Sequence, residues 1–328
     1  MKSRPDEFDL IAKYFAPLSG EGAFGLLDDA ALLSVPDGKK LVVTQDALAA
    51  GIHFFADDLP RLIAKKALRV NISDLVAKGA IPYAYSIALG LDEDWNEKWI
   101  AAFAKGLAED QAGFDMVLTG GDTYKSPGGT TISITAFGLV DAEDYTSRLG
   151  ASVGDAIFVT GTIGDAALGL KLKQGEIDSR IFGKHEKSYL QERYLLPQPT
   201  SMMAPVIAEF ASASMDISDG LIGDLEKLCK ASNVGAETYL PKIPMSAPVS
   251  KIVQIIPDHI QTALTGGDDY ELLFTVPQNL VTEFRAATYL LPISISKIGI
   301  VKEAKDGVVL LNDDGSQLSF ENTSYKHF

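Results

Sequence analysis

The feature that most constrains this chain is a set of eight short acidic motifs, nearly all set where runs of β-branched residues end. They are Asp28-Asp29, Thr44-Gln45-Asp46, Asn71-Ile72-Ser73-Asp74, Gly120-Gly121-Asp122-Thr123, Gly164-Asp165, Asp216-Ile217-Ser218-Asp219-Gly220, Asp224 and Gly266-Gly267-Asp268-Asp269. Carboxylates in such numbers cannot easily hold a phosphate alone, because like charges repel. A divalent cation between them removes the conflict. Mg²⁺ takes oxygen ligands, binds through few carboxylates, and keeps waters and substrate phosphates in the rest of its shell. The pattern points to metal-dependent nucleotide chemistry on a layered scaffold.

Strand-like runs recur at 41–44, 83–89, 116–119, 131–138, 156–160, 237–240 and 272–276. Their β-branched and aromatic content marks them. Helical patterns lie between, at 62–78, 95–112, 165–173, 202–212, 221–231 and 280–287. Strands and helices in mixed order indicate α/β or α+β layering. At 328 residues the chain suits two domains. A polar, Gly-containing stretch at 145–155 marks a boundary, giving domains 1–148 and 149–328.

Hydrophobic content of 46% and charged content of 22% are those of an ordinary globular protein. The net charge of −15 argues against nucleic acid and anionic membrane as partners. The single cysteine, Cys229, excludes an internal disulfide and a cysteine-based zinc site. It shares an apolar helix face with Leu221, Leu225 and Leu228, which reads as a buried core thiol. The first ten residues carry Lys2, Arg4, Asp6, Glu7 and Asp9 and no apolar run, so a cytoplasmic location is expected.

Each motif has a plain alternative. Asp46 follows the 41–44 run, at the strand end where α/β ligand sites form, but turn and cap aspartates are common. Asp74 is more telling. Ile63, Ala67, Val70 and Asp74 step by four, three and four along one helix face. Asp74 therefore continues an inward stripe near a helix C-terminus, where the dipole disfavours an anion and a cation is needed. A frayed helix end is its alternative. Gly120-Gly121-Asp122 closes the 116–119 run, as a close approach to ligand or as a tight turn. The segment from Val159 to Asp165 presents glycines before a helix but lacks the Gly-Lys-Ser/Thr ending of a Walker A loop. Ser218 or Asp219 can cap the next helix, whereas Asp216 is not needed for that cap. Asp268-Asp269 is either a solvated turn or a paired site. His53, as a lone histidine, reads as structural or exposed rather than catalytic, and Arg148, in a polar connector, reads as a solvated surface residue that could reach a phosphate.

Together these segments resemble the thiamine-monophosphate kinase family, within the superfamily of aminoimidazole ribonucleotide synthetase. The likeness runs through Leu27-Asp28-Asp29, Thr44-Gln45-Asp46, Gly51-Ile52-His53-Phe54, Asn71-Ile72-Ser73-Asp74, Gly120-Gly121-Asp122, Thr160-Gly161 with Gly164-Asp165, Asp216-Ile217-Ser218-Asp219-Gly220, Gly266-Gly267-Asp268-Asp269-Tyr270-Glu271-Leu272, and the tail Tyr325-Lys326-His327-Phe328. The Ser-Asp-Leu and Gly-Gly-Asp elements are shared across the superfamily. The Gly-x-His-Phe, Gly-Gly-x-Asp-Tyr-Glu-Leu and tail elements are more specific.

The resemblance implies a two-domain PurM-like α/β fold, with mixed sheets covered by helices and N-terminal domains pairing in a homodimer. It implies transfer of the γ-phosphoryl of ATP to thiamine monophosphate with several Mg²⁺ ions. By motif, Asp29, Thr44, Asp46, Asp74, Asp122, Asp216 and Asp219 would hold Mg²⁺, with Asp46, Asp74, Asp122 and Asp219 central to turnover. Gly121, Asp122, Arg148 and Ser218 would serve ATP. His53, Asp268 and Tyr325 would line the thiamine phosphate site. Leu27, Gln45, Tyr124-Lys125, Leu196 and Asp268 depart from the family pattern, which bears on fine ligand geometry. A phosphate monoester is already anionic and needs shielding more than a strong base, so direct in-line transfer is expected. Tyr325 can stack on the cationic heteroaromatic vitamin. The alternatives are a superfamily synthetase acting on an amide or aminoimidazole substrate, and a non-catalytic nucleotide-binding protein.

Overall fold

The structure, a computed structural model, describes residues 4–325. Two units are distinguished. One holds the chain up to Val76 and Ala80–Glu143, the other Ala77–Gly79 and the chain from Asp144 onward.

The first unit runs α1 (Glu7–Leu10), β1 (Lys39–Ala49), α2 (Pro60–Ala77), β2 (Ile81–Leu91), α3 (Glu97–Phe114), β3 (Val117–Lys125) and β4 (Thr131–Asp141). Its strands form a mixed sheet in the order β1-β4-β2-β3, with only β2 and β3 parallel. Along β4 every second residue is buried, from Ile132 through Ile134 and Ala136 to Val140, the period of two of a strand with one covered face. Gly138, on the same face, approaches the Leu75 side chain of α2. Helix α2 starts at Pro60, whose missing N–H and fixed φ suit a first turn. Its Ile63, Ala67 and Val70 are fully buried, as the stripe predicts. Helix α3 is capped by the Asn96 side chain, which accepts from the Trp99 N–H at 3.1 Å. The buried Asp110 of α3 takes a two-pronged contact from Arg69 of α2 at 2.6 and 3.0 Å, which locks the two helices side by side.

The second unit contains β5 (Ala156–Thr160), α4 (Asp165–Gln174), α5 (Lys184–Leu195), α6 (Ala204–Phe210), β6 (Ala213–Asp216), α7 (Leu221–Ser232) and β7 (Val234–Tyr239). It continues with α8 (Ala247–Ile255), α9 (His259–Thr265), β8 (Leu272–Val276), α10 (Val281–Thr288), β9 (Ile295–Glu303), β10 (Val308–Leu311) and β11 (Gln317–Leu318). The sheet order is β11-β10-β7-β9-β5-β8-β6, antiparallel apart from the β7–β10 pair. Strands β5 and β8 are buried at every position, so both faces of the sheet are covered there. On one face Phe158 and Phe274 meet Phe284 of α10 at ring-centre distances of 4.9 and 5.6 Å. On the other, Ile157, Val159 and Leu273 share a core with Leu221, Leu225 and Leu228 of α7. Cys229 is buried in that core, which pushes its thiol up to about 12.

Two α/β units with mixed sheets and helices are what the patterning predicts. The strand ends are corrected. Asp46 lies inside β1, paired with Ile134, and Asp122 lies inside β3, paired with Ala88. Both strands run on through polar residues because they are sheet edges, where outward side chains need not be apolar. No helix among the described residues is long and apolar enough to cross a membrane.

The aromatic cluster gives a stability test. Phe284→Ala should cost about 3–5 kcal/mol through the cavity it leaves, read as a lower midpoint in chemical unfolding. Leu290→Ala, at a position 88% exposed, should shift stability by no more than about 0.5 kcal/mol. Equal effects would mean the core has been misplaced.

Candidate functional site

In the first unit, β1 and α2 bring four polar residues together. Thr44 and Asp46 are two apart on β1 and share the face that meets α2. The Thr44 hydroxyl donates to the Asp74 carboxylate at 2.5 Å, and the Asp46 backbone N–H donates to the Asn71 side-chain oxygen at 3.0 Å. Asn71 is buried and is itself steadied by its amide donating to the Ala67 carbonyl at 3.0 Å. Asp74 is half-buried, at the end of the Ile63–Ala67–Val70 stripe. The sequence placed Asn71 in the motif that ends at Asp74 but gave it no role of its own, for which its place one turn before Asp74 is the available signal. His53 sits in the turn after β1. Its Nδ1 accepts from the Ala49 N–H at 3.0 Å, so a neutral ring carries its proton on Nε2. The buried Lys66 donates to the His53 carbonyl at 3.0 Å and holds that turn on α2.

Asp29 and Asp122 belong elsewhere on this unit. With Asp28, Ser86, Gly120 and Gly121 they line a cavity of about 440 Å³. The ladder shows the separation. Asp46, Ile134, Ile87 and Gly121 form one row across the sheet, and Ala47, Ser133, Ala88 and Asp122 the next. Adjacent rows face opposite sides. Asp122 thus lies on the face opposite Asp46 and at the other edge, three strand spacings or roughly 14 Å away. Gly121 is required for a local reason. A Cβ there would stand 1.8 Å from the Ile87 carbonyl oxygen, so its bareness admits the neighbouring strand.

In the second unit, Asp216 ends β6 and the chain turns through Ser218 and Asp219 into α7. Neither Ser218 nor Asp219 caps that helix. The cap position is Gly220, with no side-chain bond. Instead the Asp219 N–H donates to the buried Asp224 carboxylate at 2.9 Å. Lys227 contacts Asp219 at 2.5 Å and Asp224 at 2.8 Å. Burial pushes the Asp224 carboxyl up while Lys227 pulls it back. Lys227 was not anticipated, though its place three residues beyond Asp224 is a helical pairing signal. Tyr325 lies against the same turn, its N–H donating to the Asp219 carbonyl at 3.0 Å, with the ring half exposed. Lys326, His327 and Phe328 lie outside the described residues. Asp268 joins the turn from the other side, its N–H donating to the Ser218 carbonyl at 2.9 Å. Arg148 is exposed, and its carbonyl accepts from the Ser232 hydroxyl at 2.8 Å.

Behind this turn lies a buried polar group of Asp165, Asp269, Glu271 and Arg193. Burial raises Asp269 well above the ordinary carboxylate range, and Asp165 adds to the rise. The Gly164 and Ala166 N–H groups and Arg193 oppose it. Burial likewise raises Glu271, against the pull of Arg193 and Thr160. Arg193 escapes sequence reading because its bond to Glu271 spans 78 residues.

The donor types suit a hard cation, since carboxylate and hydroxyl oxygens are its preferred ligands. Among the described residues no three acidic, His or Cys side chains form a group that could hold a metal ion by themselves. Any such ion would therefore draw much of its shell from waters and phosphates.

The family model for the N-terminal domain of AIR synthase related protein matches residues 27–140, and that for the C-terminal domain matches 152–312. The thiamine-monophosphate kinase of Escherichia coli K12 is 37% identical over 326 residues, covering 98% of each chain. A crystal structure of thiamine-monophosphate kinase from Stenotrophomonas maltophilia K279a is 35% identical, with a TM-score of 0.80 over 89% of this chain and 91% of that one. AaThiL complexed with AMPPCP and TMP is 32% identical, with a TM-score of 0.77 over 94% of this chain and 97% of that one. With likeness of this extent running the length of both units, the chain belongs to the AIR synthase related family and, within it, to the thiamine-monophosphate kinases.

Proposed function

We infer that this chain phosphorylates thiamine monophosphate with ATP, giving thiamine diphosphate. The carrying observation is identity of 37% to a thiamine-monophosphate kinase over 98% of the chain. The AaThiL structure with AMPPCP and TMP supports both substrates.

The chemistry asks little of a general base, because the attacking phosphate oxygen is already anionic. It asks for positioning and charge relief. In the first unit Asp29, Thr44, Asp46, Asp74 and Asp122 would hold Mg²⁺. In the second, Asp216 and Asp219 would do so. When bound, the cation offsets the repulsion between two phosphates and stabilises charge on the transferring group. The protein's own part is orientation. Thr44 fixes the Asp74 carboxylate, and Asn71 fixes the β1 backbone at Asp46. Gly121, Asp122, Arg148 and Ser218 would serve ATP, and His53, Asp268 and Tyr325 the thiamine phosphate. Transfer is direct and in line, without a phosphoenzyme. Labour is divided between 1–148 and 149–328, and the buried Cys229 thiol suits a reducing cytoplasm.

We also propose a homodimer through the N-terminal domains. In one copy Asp122 cannot reach Asp46, since they occupy opposite faces and edges of the sheet. The uncovered face carries apolar side chains at Val43, which is 54% exposed, and its β4 neighbour Phe137. Setting β1 of one copy beside β3 of another, so that the two sheets close on each other, would enclose that face and bring the edge strand that carries the partner subunit's Asp122 beside the edge strand that carries Asp46.

Purified protein with ATP, Mg²⁺ and thiamine monophosphate should form thiamine diphosphate, and chelation should abolish it. Asp46→Asn and Asp74→Asn should each reduce turnover strongly while the circular dichroism spectrum stays native. Full activity after chelation, or in both variants, would refute the metal assignment.

If the site is shared, Asp46→Asn and Asp122→Asn chains, each inactive alone, should regain about a quarter of wild-type turnover when refolded together in equal amounts. About half of the resulting dimers would be mixed, each with one intact site. No recovery would mean that each copy holds its own complete set.

Tyr325→Ala should raise KM for thiamine monophosphate about tenfold, the worth of a stacking contact of about 0.5–1.5 kcal/mol, with little change for ATP. A lowered Tm with both KM values unmoved would instead assign Tyr325 to packing.

A further inference from the structure

We propose that Asp269 and Glu271 are positioning residues, holding the 266–271 turn in the one conformation that carries Asp268 against the Ser218–Asp219 turn. This rests on the reading of Asp268, Ser218 and Asp219 as substrate-facing groups.

The turn is conformationally demanding. Asp268 and Tyr270 both lie in the left-handed region, with φ of 73° and 50°. Non-glycine residues persist there only where the surroundings over-determine them. Gly267 cannot carry a side chain, because a Cβ would stand 2.2 Å from the Ser218 carbonyl oxygen. Three backbone bonds then join the two turns. Ile217 N–H donates to the Glu271 carbonyl at 2.8 Å, Tyr270 N–H to the Ile217 carbonyl at 2.8 Å, and Asp268 N–H to the Ser218 carbonyl at 2.9 Å. Any slip of the 266–271 turn therefore moves Ser218 and Asp219 with it.

The alternate residues of the turn point inward and are tied down. Asp269 is 1% exposed and Glu271 6%. One Asp269 oxygen accepts from the Gly164 N–H at 2.7 Å and the other from the Ala166 N–H at 3.2 Å, at the first turn of the ten-residue α4. Those donors have no partner within the helix, and the dipole there favours an anion. Glu271 accepts from the Thr160 hydroxyl at 2.7 Å and from Arg193 at 2.6 Å, and Thr160 in turn accepts from the Leu272 N–H at 2.8 Å. So buried, neither acid can touch a substrate. Each acts through the half-buried residues beside it, Asp268 and Tyr270.

The test uses the full-length enzyme. Asp269→Asn keeps the side-chain shape but sets an amide N–H against a backbone N–H, so one of the two bonds to α4 is lost. Thr160→Val removes the hydroxyl bridging Glu271 and Leu272 and is the milder variant. Hydrogen exchange of peptides spanning 216–220 and 264–272 reads the positioning directly. Steady-state kinetics reads its consequence. Asp269→Asn should speed exchange in both peptides and lower kcat/KM for thiamine monophosphate on the order of a hundredfold, the effect of about a 1 Å misplacement. The loss should exceed that for ATP, and Thr160→Val should show the same pattern more weakly. Unchanged exchange with unchanged KM overturns the proposal, as does a lowered Tm with kinetics following only the folded fraction. If Asp269→Asn does not fold, Thr160→Val decides. If the wild-type enzyme makes no thiamine diphosphate, the kinase reading falls, and the exchange data alone judge the clamp.

Discussion

A carboxylate withdrawn from water must be met by donors or by a cation, and that requirement organises this molecule. The chain carries a net charge of −15 and places many of its acids on a few turns. Two solutions are visible. Asp110, Asp224, Asp269 and Glu271 are met by the protein itself, through Arg69, Lys227, helix N–H groups and Arg193. These are structural acids, and their burial is possible because their partners are built in. Asp29, Asp46, Asp74 and Asp122 keep access to solvent. No lysine or arginine salt bridge accompanies Asp74 among the described residues, only a hydroxyl at 2.5 Å. The division separates acids buried with partners of their own from acids that stay in contact with solvent.

The same division explains what the sequence made legible. Asp74 was readable because three apolar residues on one helix face lead to it, and burial of that stripe follows from the hydrophobic effect alone. The strands β5 and β8 were readable as short runs apolar throughout, since they are covered on both sides. The continuation of β1 through Gln45 and Asp46, and of β3 through Gly120 and Gly121, was not. Edge strands tolerate polar residues and glycines that local propensity scores against a strand. The four-residue β6 is too short to show any period, and β9 mixes lysines with its apolar residues.

Site geometry was legible only in part. Motif likeness named candidate acids, but not that Asp122 lies on the opposite face of the sheet from Asp46. That fact is a matter of register, which a bulge between Tyr85 and Ser86 helps to set. Arg193 was missed because a lone basic residue on a helix carries no sign of a partner far along the chain, whereas Lys227 had a signal in Asp224 three residues before it. The bond from Arg193 to Glu271 exists only once α5 and β8 have been brought together.

Positions in the Gly-Gly-Asp-Asp-Tyr-Glu segment follow from these constraints. Side chains along 268–271 alternate between half-buried and buried, so the segment has one surface for anchoring and another for the neighbouring turn. Asp268 has room to vary because it sits on the half-buried side of the segment. Asp269 has no such freedom. A longer side chain would drive its carboxylate into the first turn of α4, and a shorter one would leave two helix N–H groups buried without acceptors. The same argument extends to Gly267, where any side chain would meet the Ser218 carbonyl and part the two turns. Exchange at 268 should therefore leave the two turns in place, whereas exchange at 267 or 269 should displace both at once.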